Sequence, residues 1–209
     1  MVATLKTDKQ VDVYYTNVIN PRVSSILNEL SGSSNNAAPS LISAASVTDS
    51  LQKISGLSNI LTKDRAPQGL EGSLRITNLE KLSQQYPFVS LTMDPDSSLF
   101  SLTLSRDTAP QIVSSFTTEV QDYLDALLAP IITGENLSTS EYLALLSSVY
   151  GKTIAQEIEH SHISLEIHVP GRITSVLGGV GTGNKAIFNI PLVDFLVLQK
   201  PQVYQVAWK

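Results

Sequence analysis

Apolar residues along this chain recur with two periods, two and about 3.6, and the switches between them outline its elements. Val11, Val13 and Tyr15 alternate with Asp12 and Tyr14, which predicts a half-buried strand. Asn20-Pro21 is a cap followed by proline at a first helical position, and Val23, Ile26, Leu27 and Leu30 form one stripe, so 21–30 is expected to be a short helix. Leu74 and Ile76 alternate with Ser73 and Arg75 as a strand. Asn78 then caps a two-turn helix carrying Leu79, Leu82 and Tyr86, which Pro87 stops. Val89, Leu91 and Met93, the turn DPDSS at 94–98, and Phe100, Leu102 and Leu104 predict a hairpin. Ile163, Leu165, Ile167 and Val169 alternate strictly with Ser164, Glu166 and His168, the clearest strand in the chain. Pro170-Gly171 bends it, and Ile173 and Val176 continue it. GGVGTGN at 178–184 reads as a turn, Ala186, Phe188 and Ile190 as a returning strand, and Val203 to Trp208 as a last one.

Three stretches carry the helical period. In 41–62, Leu41, Ile42, Ala45, Val47, Leu51, Ile54, Leu57 and Leu61 recur at near-helical spacing between Ser, Thr and Asn, predicting an amphipathic helix, or two broken near Gly56, with an almost neutral polar face. In 109–132, Ile112, Phe116, Val120, Leu124 and Leu128 sit four apart, flanked by Pro110 and Pro130. Ser138 and Glu141 form a capping box that opens a further helix carrying Tyr142, Leu145, Leu146, Val149, Tyr150, Ile154 and Ile158. Residues 31–40, SGSSNNAAPS, hold almost nothing that packs and read as a flexible loop. Strands come in local pairs with helices between them, so the expected fold is α+β. It is a largely antiparallel curved sheet of about six strands with amphipathic helices packed on it, in a single domain spanning 1–209.

Composition narrows the function. Charged residues are 16% of the chain, against roughly 25% in an average soluble domain, and polar uncharged residues take their place. Such a surface repels an apolar partner weakly. A net charge of −5, with Lys and Arg scattered, excludes a broad phosphate-binding face and with it nucleic acid. The absence of cysteine excludes disulfides, thiol catalysis and Cys-ligated zinc. Residues 1–10 do not read as a signal peptide, and no apolar run reaches the roughly 18 residues of a membrane span.

No catalytic motif emerges. Gly178, Gly179, Gly181 and Gly183 invite a phosphate loop, but a helix would have to follow, and Lys185 to Ile190 reads as a strand. His160, His162 and His168 lie near Glu157, Glu159 and Glu166, yet His162 and His168 would stand about 20 Å apart along one strand, too far to share an ion. Asp94 and Asp96 sit in a hairpin turn, where they stay solvated, and no Gly-x-Ser-x-Gly elbow occurs. No cofactor and no metal is expected.

The stretch IHVPGRITSVLGGVGTGNKAIFNIPL at 167–192 resembles the LppM-like group of bacterial envelope lipoproteins. In that group a strand ends in Pro-Gly, a second runs to a glycine turn, and a Gly-Asn pair starts an aromatic-containing strand. Pro170, Gly171, Gly178, Gly183, Asn184 and Phe188 match, while Phe188 stands where Trp is common and Leu177 where Asn often precedes the turn glycine. The neutral amphipathic segments are also similar to a treponemal outer-membrane lipoprotein thought to insert helices into lipid. The resemblance implies a signal peptide and a lipidated N-terminal cysteine in the native form, a place at the periplasmic face of a membrane, and no catalytic residues.

Together these features point to a non-catalytic lipid-binding or membrane-associating protein of the bacterial cell envelope, with amphipathic helices covering an apolar groove. The expected lining is Leu41, Ile42, Leu51, Ile54, Leu57, Phe116, Val120, Tyr123, Leu127 and Tyr142, and the expected partner is membrane lipid or another apolar ligand. The alternatives are a structural or assembly protein that offers strand edges to another envelope protein, and a small enzyme of a type not signalled by any motif.

Overall fold

The computed structural model describes residues 1–18, 43–66, 69–94, 96–114, 121, 127, 128, 130 and 133–209. The expected helix at 21–30, the loop at 31–40 and most of the stretch 115–132 lie outside the described residues. The architecture is α+β, with most strand pairs antiparallel, but the single sheet of about six strands is replaced by two open sheets. The larger sheet has seven strands: β1 (Val2–Leu5), β2 (Val11–Val18), β3 (Leu57–Arg65), β4 (Gly69–Ile76), β7 (His162–His168), β9 (Val180–Thr182) and β10 (Lys185–Pro191). Their order is β3-β4-β2-β1-β7-β10-β9, and β1 and β7 form its parallel pair. The smaller sheet runs β5-β6-β11-β8, from β5 (Val89–Met93), β6 (Ser98–Leu104), β8 (Ile173–Leu177) and β11 (Gln202–Trp208).

Two strands depart from the sequence reading. The 41–62 segment is not helical throughout: α1 is Ala44–Gln52, capped by Ser43, whose side chain accepts from the Ser46 N–H, and Leu57–Arg65 is β3. Leu57, Ile60 and Leu61 fit either period over so short a run, and pairing with β4 along most of its length decides for the strand. β1 was not anticipated in the polar first ten residues; β2 and β7 enclose it on either side.

The helices follow local signals. Asn78 caps α2 (Leu79–Gln85), its side chain accepting from the Lys81 N–H at 3.0 Å. α3 is Ala109–Ser114. Ser138 and Glu141 form the expected capping box of α4 (Thr139–Tyr150). The helix does not continue to Ile158 unbroken: Gly151, at φ +88°, ends α4 and starts α5 (Lys152–His160). α6 (Leu192–Val197) was not read from the sequence at all. LVDFLV has no polar face, because four of its six residues are buried. Arg106 donates from Nε to the Leu198 carbonyl at 3.2 Å and from Nη2 to the Val197 carbonyl at 3.3 Å, which satisfies the end of this helix.

The chain passes from the small sheet to the large one at Gly178-Gly179 and back through α6. Gly178 has φ +77°, and a Cβ at Gly179 would stand 2.4 Å from the Ile187 carbonyl oxygen and 2.5 Å from the Phe188 ring. The glycine cluster is therefore a turn, as expected, but one that also holds the short strand β9 and a second turn at Gly183-Asn184. Phe188 packs edge-on against Tyr204 across the sheets, with ring centroids 5.8 Å apart. Ile167, Ala186, Phe188, Leu196 and Val206 are wholly inaccessible, so the densest packing lies where β7 and β10 face β11.

Gly179→Ala is expected to destabilise the protein by about 1–3 kcal/mol through overpacking, more than Gly183→Ala, which meets no neighbour and adds only about 1 kcal/mol of backbone strain. Denaturant midpoints of the two variants measure the order.

Candidate functional site

Cross-strand register decides which side chains share a face. On the inner face of the large sheet one row runs Leu57, Ile76, Val11, Leu5, and the next runs Leu74, Val13, Ala3, Ile167. Every member is apolar. Opposite them, the small sheet presents Val89, Phe100 and Leu102. Leu79 and Leu82 of α2, with Tyr86, Phe88 and Ile54, close one side. Between these walls lies a partly open cleft of about 320 Å³.

Among the described residues no carboxylate, ammonium or imidazole side chain lines this cleft. Its volume falls at the small end of the roughly 300–1,000 Å³ typical of ligand pockets. Val13, Leu74, Ile76, Leu82, Val89 and Leu102 all face into it and remain only half-buried. At the other end of the same two sheets Phe188 and Val206 are fully covered. An inward aliphatic side chain that meets no described residue across the cleft forfeits dispersion contacts, and a space lined almost wholly by apolar groups does not hold ordered water well.

The α2 wall is held from two turns. The Leu79 N–H donates to the Lys9 carbonyl at 3.0 Å, and Lys9 pairs with Glu80. The Thr77 N–H donates to the Gly56 carbonyl at 2.8 Å. Lys9 itself sits at φ +66°, at the tip of the β1–β2 turn.

Of the residues expected to line a groove, Ile54 and Leu57 stand in the wall of this cleft. Leu51 lies on α1, half-buried, and does not reach it. Tyr142 is buried on α4 and donates its hydroxyl to the Leu127 carbonyl at 2.8 Å, so these two meet elsewhere. Burial pushes the Tyr142 phenol well above its ordinary pKa. Beside it is a smaller hollow of about 240 Å³ bounded by Leu145, Leu146 and Val149. Leu41, Ile42, Phe116, Val120 and Tyr123 lie outside the described residues. Most of the cleft, Val13, Leu74, Ile76, Val89 and Leu102 above all, comes from strands whose alternation is legible in the sequence but which carry no signal of a groove.

The outer face of the large sheet is polar. Asp12 accepts from Arg75 Nε and from Lys6 Nζ, each at 2.6 Å, and these two cations, Arg75 first, hold its carboxyl below the usual range. Glu166 meets Lys185 at 2.7 Å and His168 at 2.6 Å, with the same effect on its carboxyl. Among the described residues no three His, Asp or Glu side chains gather as a metal site. His160 instead places Nδ1 2.7 Å from the Gln156 carbonyl oxygen.

The fold and cleft define an α+β protein whose two open sheets leave an apolar space between them. No protein-family model matches the sequence, and no curated protein matches it significantly. Among solved structures the chain is similar to the NMR structure of the folded domain of LppM from Mycobacterium tuberculosis, at 10% identity and a TM-score of 0.45, over 100% of this chain and 86% of that one. No treponemal likeness emerges from these comparisons. Among the described residues no helix is long and apolar enough to cross a membrane.

Asp12 has its carboxyl pKa lowered by folding, so its contribution to stability is present above its ordinary value of 3.8 and is lost as pH falls through the lower, folded value. Asp12→Asn is therefore expected to destabilise the protein at pH 7 and to converge on the native chain in strong acid. Urea unfolding at a series of pH values tests this; a gap that widens in acid contradicts it.

Proposed function

We propose that this chain binds the hydrocarbon part of a lipid or similar amphiphile in the cleft between its sheets, without catalysing a reaction. The observation that carries this reading is the cleft itself: about 320 Å³ with an entirely apolar side-chain lining except for the Tyr86 hydroxyl, bordered by half-buried aliphatic residues. Filling it with an alkyl chain restores the contacts those side chains lack and removes apolar surface from water at about 25 cal/mol per Å². Among the described residues Tyr86 carries the one side chain of the lining that titrates, which favours retention over turnover, since acid–base chemistry requires a group whose proton can move. The bacterial-envelope setting, with a lipid anchor at the periplasmic face of a membrane, comes from the resemblance of residues 167–192 to the LppM-like group.

A second reading, an assembly protein of the envelope, is favoured by one observation. Both sheets are open, and the edge strands β3, β8 and β9 expose Leu61, Leu177 and Val180. A stable complex captured with an envelope protein, together with a cleft that takes no ligand, would support it.

Fatty acids of increasing length, titrated into delipidated protein by calorimetry, test the first reading. Each added methylene should contribute about 0.8 kcal/mol, roughly a fourfold gain in affinity, until the cleft is full. Leu74→Trp or Leu102→Trp, which place an indole in the empty space, should abolish binding while the protein stays folded. Affinity independent of chain length and unchanged in both variants would reject it.

A further inference from the structure

The outer face of the large sheet carries a second hollow of about 300 Å³, bounded by Thr4, Asp12, Tyr14, Asn59, Ser73 and Arg75. Register sets these side chains together: Thr4 stands opposite Asp12, Asp12 opposite Arg75, and Tyr14 opposite Ser73. β3 joins them through a fault in its pairing. Ser58 lies opposite Arg75 and Leu61 opposite Ser73, so Asn59 and Ile60 together face the single residue Leu74. Asn59 absorbs the extra length in left-handed backbone, at φ +51°. Asn is among the few residues that tolerate this conformation, and a bulge of this kind re-aims a side chain. Here it places an amide at the rim of the hollow.

The hydrogen-bonding inventory is lopsided. Asp12 has both oxygens engaged, one with Arg75 Nε and one with Lys6 Nζ. In this ion-paired group two cations meet one carboxylate, and Asp8 offsets part of that excess without a direct ion pair. The terminal guanidinium nitrogens of Arg75, and the side-chain polar atoms of Thr4, Tyr14, Asn59 and Ser73, have no protein partner among the described residues. No carboxylate in the hollow is free to accept, so the site offers mainly donors. Of the neighbouring acids, Glu166 is met by Lys185, Glu71 stands opposite Lys63, and Asp8 acts on Arg75 most weakly of its neighbours.

An acceptor-only group matches such a site, and an arginine fork binds oxyanions through paired N–H bonds. A planar carboxylate would use the fork alone. A tetrahedral phosphate also has oxygens to accept from Asn59, Ser73 and Thr4 around it. The Tyr14 ring, half exposed beside them, offers a surface for the rest of the molecule. We propose that this bulge-lined hollow, on the face opposite the apolar cleft, binds a phosphate monoester, with Arg75 as its anchor.

Phenyl phosphate, titrated at constant ionic strength and followed by NMR of backbone amides and the Arg75 Nε–H, tests the proposal, with benzyl alcohol as the neutral ring control. Saturable shifts confined to Asp12, Tyr14, Asn59, Ser73 and Arg75, absent with benzyl alcohol, are expected. Arg75→Gln should weaken binding roughly tenfold or more. Arg75→Lys, which keeps a cation beside Asp12, should lose most of the binding as well. Co-sedimentation with phosphatidic acid vesicles that Arg75→Gln abolishes would assign the phosphate to a lipid headgroup; phenyl phosphate binding without it would assign a free ester. No Arg75-dependent binding in either arm, or full affinity in Arg75→Lys, would overturn the proposal.

Discussion

Two sheets close on each other only where the side chains of both inner faces reach across the space between them. In this protein that condition is met at one end. Phe188 on β10 meets Tyr204 on β11 edge-on, and Ala186, Leu165, Ile167 and Val206 are buried in the same core with the apolar residues of α6. Toward β2 and β4 the large sheet presents Val13 and Leu74, and the small sheet presents Val89, Phe100 and Leu102 from its edge pair. These side chains leave about 320 Å³ between the sheets. The rest follows from this mismatch: α2 and the turn at Ile54 close the side, and the unfilled remainder has the chemistry of a hydrocarbon site.

The same strands serve two surfaces because their side chains alternate. Val13 and Leu74 line the cleft, while Asp12, Tyr14, Ser73 and Arg75, their immediate neighbours in sequence, face outward. The sheet is thus a partition one backbone thick between an apolar space and a polar hollow. A slip of β2 against β4 by one residue would turn β2 over, burying Asp12 and Tyr14 and exposing Val11 and Val13. The Asp12–Arg75 ion pair opposes that shift, because the observed register sets the two residues opposite each other.

Much of this was legible from the residues. The hairpin of β5 and β6, the Asn78 and Ser138 caps, the strict alternation of β7 and the glycine turns each carry a local signal that tertiary contacts reinforce. What escaped reading lacked such a signal. β1 is only four residues long, too short to show a period, and one of its two partners, β7, lies far along the chain. Leu57 to Leu61 satisfy two periods at once, and only the partner β4 decides between them. Leu192 to Val197 are nearly all buried and so show no period. The cleft was half visible: Ile54 and Leu57 were singled out, but Val13, Leu74 and Leu102 look in sequence like any core residue. An inward aliphatic side chain has the same pattern whether or not something stands opposite it.

The central claim is that hydrocarbon occupies the space between the sheets. Isotope-filtered NOE spectra of methyl-labelled protein with an unlabelled fatty acid test it most directly. The account predicts contacts from the alkyl protons to the methyls of Val13, Leu74, Ile76 and Leu102. Contacts confined to surface methyls such as Val149 and Val180, with none from the inner faces, would contradict it.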